Sequence, residues 1–165
     1  MRTTILRYSA AVFLAVFYSF FDIIFSPITI YTTFFLLSFF TQAQLSGITL
    51  FVNDMSFSII SACTASLAYL LLAELILMTK GISLKQSLKM FFLGFSAIFS
   101  MNILRILFLI FVYVHFGKNY FDAVHLIFWY FVSTFFVIAV WIFLIEKYKI
   151  KSVPIYSDIQ FILRK

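Results

Sequence analysis

"SACTASLAYLLLAELILMT", residues 61–79, decides how the chain is read. It opens on small and hydroxylated side chains around Cys63, the only cysteine, and passes into an apolar run broken by a single charge, Glu74. From Cys63 onward the run approaches the roughly 20 residues that a helix needs to cross a bilayer. The rest of the chain has the same character. Of 165 residues 64% are hydrophobic and 11% charged, 25 are Phe, and the mean hydropathy is +1.11. That is more apolar surface than a soluble domain can cover with polar groups, so the chain is expected in a membrane. Its net charge of +6 sits in short Lys and Arg runs beside apolar segments, the pattern of cytoplasmic membrane flanks, which argues against nucleic acid as a partner. One cysteine makes no intramolecular disulfide. No second Cys or His stands at ligand spacing, so neither a metal nor a cofactor is expected.

Four stretches read as spans: 5–25, 63–79, 90–114 and 123–145. Lys80, Lys85 and Lys89 separate the second from the third, and Lys147, Lys149 and Lys151 follow the fourth. With Arg2 and Arg7 these groups are placed in the cytoplasm by the positive-inside rule. Residues 26–62 carry no Lys or Arg and are placed outside, as is the link "HFGKNYFD", 115–122. The stretch 28–44 is interrupted by Thr, Ser and Gln and preceded by Pro27, which favours a helix start. It reads as a helix lying in the outer interface, with a short extra span as the alternative. Two β-prone runs around Asn53 and Asp54 read as a hairpin within 47–60. The expected fold is an all-α polytopic membrane protein of about four to five transmembrane helices, with a short extracytoplasmic hairpin-like segment before the cysteine. It forms one membrane domain over 1–165, with a functional core at about 47–145 and a cytoplasmic tail at 146–165.

Ionisable groups inside lipid-facing sequence are costly and therefore candidate functional groups. At 1.5 Å per residue from the cytoplasmic end of each span, Arg105 lies about 22 Å deep, Cys63 about 24 Å and His125 about 30 Å. Three segments thus bring a guanidinium, a thiol and an imidazole to the outer part of the membrane. Each taken singly has a structural explanation: packing for the Cys, snorkelling for the Arg, an interfacial position for the His. Together they fit covalent acyl transfer. The thiol serves as nucleophile, the imidazole as its base, and the guanidinium as stabiliser of an oxyanion. Asn102, one turn before Arg105, is placed to orient the guanidinium. Asp122 is placed to cap the last helix or to bond the imidazole of His125. His115 is a second candidate base, whereas Asp22 reads as interfacial.

The order "ACTAS" (62–66), "NILR" (102–105), then Gly117 and His125 resembles the exosortase/archaeosortase family of membrane-embedded cysteine transpeptidases, over roughly 47–145. The family pattern is Ala-Cys-x-Gly, then Asn-x-x-Arg, then a His; its glycine is Ala65 here. The resemblance implies Cys63 as nucleophile, Arg105 as catalytic partner and His125 as base. It further implies substrates that are exported proteins with a C-terminal signal of short motif, transmembrane helix and basic cluster. Cleavage would fall on the extracytoplasmic side of the cell membrane, with transfer to an acceptor such as a membrane lipid. From another class, a small multi-pass transporter or channel subunit would use Arg105, Glu74 and the histidines as an ion path, and a non-catalytic scaffold would keep the fold alone. The lack of Gly-x-Ser-x-Gly and of paired helix-embedded aspartates argues against an intramembrane serine or aspartyl protease.

Overall fold

The computed structural model describes residues 2–53, 55–79, 81–128, 130 and 133–150. Asp54, Lys80 and the tail from 151, with Lys151, Arg164 and Lys165, lie outside the described residues. In chain order the elements are α1 (Arg2–Val16), α2 (Ser19–Ser38), β1 (Ala43–Ser46), β2 (Thr49–Val52), β3 (Met55–Ser58), a 3-10 turn (Ser61–Cys63), α3 (Ser66–Met78), α4 (Leu84–Phe116), α5 (Lys118–Ile127) and α6 (Ser133–Lys147).

Among the described residues two helices, not four or five, are long and apolar enough to cross a membrane: α2, with hydropathy 1.7, and α4, with 2.2. They associate the chain with a membrane and correct the expected all-α architecture of four to five spans. The apolar stretches are cut by turns that hydropathy does not register. The first, 5–25, ends early because the N–H groups of Phe20 and Phe21 bond to the carbonyls of Phe17 and Tyr18, a tight turn that leaves α1 with 15 residues. The second loses its start to the 3-10 turn, which leaves α3 with 13 residues. That helix is about 20 Å long, against roughly 30 Å of hydrocarbon. The last, 123–145, is divided between α5 and α6, of 10 and 15 residues. Only the stretch at 90–114 falls inside one long helix, α4, which begins earlier behind the Ser83 cap and runs for 33 residues.

Pro27 does not start a helix; it lies inside α2. Its missing N–H removes one i→i−4 bond, a loss that a helix in apolar surroundings accommodates. The stretch 28–44 is therefore not an interfacial helix. Its first part is the C-terminal half of α2, and its last residues enter β1. The hairpin expected at 47–60 is present as β2 and β3, paired from Thr49↔Ser58 to Val52↔Met55, with Asn53 at φ 49° in the connection. β1 adds a third antiparallel strand, from Ala43↔Val52 to Ser46↔Thr49. Gly47, at φ 61°, supplies the positive dihedral that a two-residue hairpin connection demands. Alternation along β2 turns Leu50 and Val52 inward, while Phe51 is exposed.

Two apolar clusters result. One gathers the inward residues of β2 with Ile30 and Leu37 of α2 and Ile106 and Ile110 of α4. The other packs Tyr69, Leu72 and Ala73 of α3 against Met90 and Ile98 of α4 and Val137 and Leu144 of α6. The turn bearing Cys63 is their seam: Cys63 packs on the first cluster, Ala65 and Ala68 on the second. Within the second cluster α4 approaches α3 and α6 at Gly94, where an added Cβ would lie 2.5 Å from Leu72 Cδ2 and 3.0 Å from Leu144 Cδ1. Gly94→Val is expected to cost about 1–3 kcal/mol by overpacking, read as a lower unfolding temperature of the detergent-solubilised protein.

Candidate active site

The 61–66 segment leaves the sheet and must turn before α3 begins. Cys63 N–H bonds to Ile60 O at 2.7 Å and Thr64 N–H to Ser61 O at 3.2 Å, closing the 3-10 turn. Ala65 then adopts φ 57°, ψ 26°, and α3 starts at Ser66. Cys63 is thus in a 3-10 turn and not in the α-helix that the stretch 63–79 was expected to form. The left-handed backbone at Ala65 is the one that glycine favours, and this is the position at which the family pattern has glycine.

α4 holds the turn from one side. Asn102 Nδ2 donates to Cys63 O at 2.8 Å, and one terminal nitrogen of Arg105 donates to Ala62 O at 3.4 Å. The other terminal nitrogen donates to Ser133 Oγ, at the start of α6, at 3.3 Å; Ser133 in turn donates to Phe128 O at 2.8 Å. Asn102 and Arg105 are buried, at 4% and 6% exposure. Asn102 binds the turn, a role different from the expected one of orienting the guanidinium. Arg105 Nε and Asn102 Oδ1 are buried with no hydrogen-bond partner among the described residues, so both retain capacity for a further polar group.

α2 holds the turn from the other side, through a residue that sequence reasoning set aside. Asp22, in the first turn of α2, is not a free interfacial carboxylate. Its Oδ2 accepts from Ser61 Oγ at 2.7 Å, and its Oδ1 accepts from Thr64 Oγ1 at 2.7 Å and Ser66 Oγ at 3.0 Å. Thr64 is fully buried and Ser66 is 6% exposed. The available signal was the spacing Ser-x-x-Thr-x-Ser, three hydroxyls within six residues, facing the one carboxylate of the 5–25 stretch.

Asp22 and Arg105 both line a cavity of about 480 Å³, with Ser61, Ala62, Ala65 and Ser66 on one wall and Ser133 and Val137 on another. Neither Cys63 nor His125 lines it. Arg105 instead reaches the Cys63 turn by its bond to Ala62 O, and its charge acts on the His125 imidazole. His125 is in the last turn of α5, not at the start of the final helix, and its ring sits 5.5 Å from that of Phe121. Burial, and then the Arg105 charge, hold its imidazole below the ordinary histidine value, with Asp122 opposing. His125 is therefore neutral at pH 7, the form a general base requires. Asp122 acts on His125 electrostatically but caps nothing: α5 begins at Lys118 behind Gly117. His115 is engaged by its own helix, its Nδ1 paired with Phe111 O at 3.0 Å and its ring stacked on that of Phe111. Comparison with protein-family models, with curated proteins and with solved structures finds no match in any of the three.

Two substitutions test this geometry. Ala65→Gly relieves a left-handed alanine that costs roughly 1–2 kcal/mol, offset in part by the greater unfolded-state freedom of glycine. Unfolding of Ala65→Gly in detergent is expected at or above the wild-type temperature, and of Ala65→Val clearly below it. Asp22→Ala removes the carboxylate that ties this turn to α2; Thr64 keeps Ser61 O and Ser66 keeps Thr64 as partners, so the loss is about 1 kcal/mol. Maleimide labelling of Cys63 is then expected to accelerate as the turn loosens, and an unchanged labelling rate would show that Asp22 does not hold it.

Proposed function

We propose that this chain is a membrane-embedded cysteine transpeptidase of the exosortase/archaeosortase kind, acting on the C-terminal sorting signals of exported proteins. The observation that carries the reading is the grip of Asn102 and Arg105, three residues apart on α4, on consecutive carbonyls of the Cys63 turn. A buried guanidinium that both positions the cysteine-bearing backbone and faces a cavity is an arrangement suited to a developing oxyanion. α2 and α4 anchor the enzyme, with the lysine-rich ends of α4 and α6 at the cytoplasmic face and the Cys63 turn toward the extracytoplasmic side of the cell membrane.

In the reaction, His125 takes the thiol proton and the Cys63 thiolate adds to the scissile carbonyl of the substrate motif. Negative charge on the carbonyl oxygen is met by Arg105. Collapse breaks the C–N bond, the imidazolium gives its proton to the departing amine, and the substrate remains as a Cys63 thioester. An acceptor hydroxyl or amine, deprotonated by His125, attacks the thioester and restores the thiolate; a membrane lipid is one such acceptor. Attack by water in its place makes the product a free acid.

Co-expression with exported proteins that carry such tails, followed by intact-mass measurement of the processed form, tests the reading. Wild type is expected to remove the tail, Cys63→Ala to leave it in place, and Arg105→Lys to process about 10²-fold more slowly, because a point charge replaces a planar fork. Equal processing by wild type and Cys63→Ala would remove the nucleophile and the reading with it.

A further inference from the structure

At the opposite end of α4 lies a second cleft that no step of the proposed reaction uses. The Ser83 cap accepts from Gln86 N–H at 3.3 Å and fixes the start of α4. Gln86 Nε2 donates to Tyr148 O at 3.3 Å, which ties that start to the end of α6. Between the two helix ends opens a cavity of about 590 Å³, lined by Lys85, Lys89 and Lys147 together with Leu88, Phe92 and Leu93. Residues 85, 88, 89 and 92 share one face of α4 by helical spacing. That face therefore changes from ammonium groups at the helix end to hydrocarbon one turn further in.

The three lysines are exposed, and among the described residues no carboxylate lines the cleft. Phe92 is 74% exposed and Leu88 51%, an apolar wall on a helix long and apolar enough to cross a membrane. A free phosphate would satisfy the lysines and leave that wall bare. A zwitterionic lipid would bring a cation of its own into a ring of cations. The complementary occupant carries net negative charge at one end and hydrocarbon at the other. We propose that this cleft binds an anionic phospholipid, its phosphate held among Lys85, Lys89 and Lys147 and its chains laid along Leu88 and Phe92.

The test is native mass spectrometry of the full chain in detergent, titrated with phosphatidylglycerol or with phosphatidylcholine of the same acyl chains. Wild type is expected to retain phosphatidylglycerol preferentially, and the preference to fall about fivefold for each lysine replaced by glutamine. Lys118→Gln, at the far end of the molecule, is expected to change nothing. Equal retention of the two lipids by wild type would overturn the proposal, as would a preference that survives Lys85→Gln, Lys89→Gln and Lys147→Gln together. Displacement of the lipid by glycerol phosphate would overturn it in favour of a small soluble phosphate. The single Lys89→Gln variant, an exposed side chain replaced by a shorter polar one, reads the same ratio should the triple variant not fold.

Discussion

The arrangement depends on how a non-helical turn is kept at the seam of two apolar clusters. Such a turn exposes carbonyls that no helix or sheet satisfies, and leaving them unpaired in apolar surroundings costs several kcal/mol per group. Here the carbonyls of Ala62 and Cys63 receive Arg105 and Asn102 from α4, and the hydroxyls of Ser61, Thr64 and Ser66 converge on Asp22 from α2. These contacts hold the chain as it leaves the sheet, bends at Ala65 and enters α3. They also join the only two helices among the described residues that are long and apolar enough to cross a membrane. The turn is thus a structural keystone and the carrier of the cysteine at once.

The same contacts settle how two opposite charges are kept among apolar residues. Arg105 is buried and Asp22 partly so, and an ion drawn out of water is tolerated when hydrogen bonds replace that water. Asp22 has three hydroxyl donors, and Arg105 has a carbonyl and a hydroxyl as acceptors. Both line one cavity, so a molecule that enters meets an acceptor and a donor held in fixed positions. Rigid placement of this sort favours chemistry in which charge develops during the reaction.

Much of this was legible in the chain and some of it was not. Asn102 and Arg105 share a face at a spacing any helix imposes, but their grip on the carbonyls of Cys63 and Ala62 was not legible, because the sequence placed Asn102 against the guanidinium and Cys63 at the start of a spanning helix. The hairpin followed from β-prone runs around Asn53. Asp22 was hidden because its partners are about forty residues away, and hydropathy assigns a carboxylate near an apolar boundary to the interface. The break at Phe17 and Tyr18 has no glycine or proline to announce it, while Pro27, the residue that does look like a break, lies within a continuous helix. β1 was absorbed into an apolar stretch that ends in Thr and Gln. The number of spans failed for the same reason: apolar length was counted across turns that tertiary contacts create.

The most direct test of the central claim is capture of the covalent intermediate. Intact-mass analysis of the wild-type protein, acid-quenched while it processes a substrate, reads the species on Cys63. The account predicts a mass increase equal to the substrate's N-terminal fragment, removed by hydroxylamine and absent when Cys63 is replaced by Ala. A substrate that loses its tail with no hydroxylamine-sensitive adduct on Cys63 would contradict it.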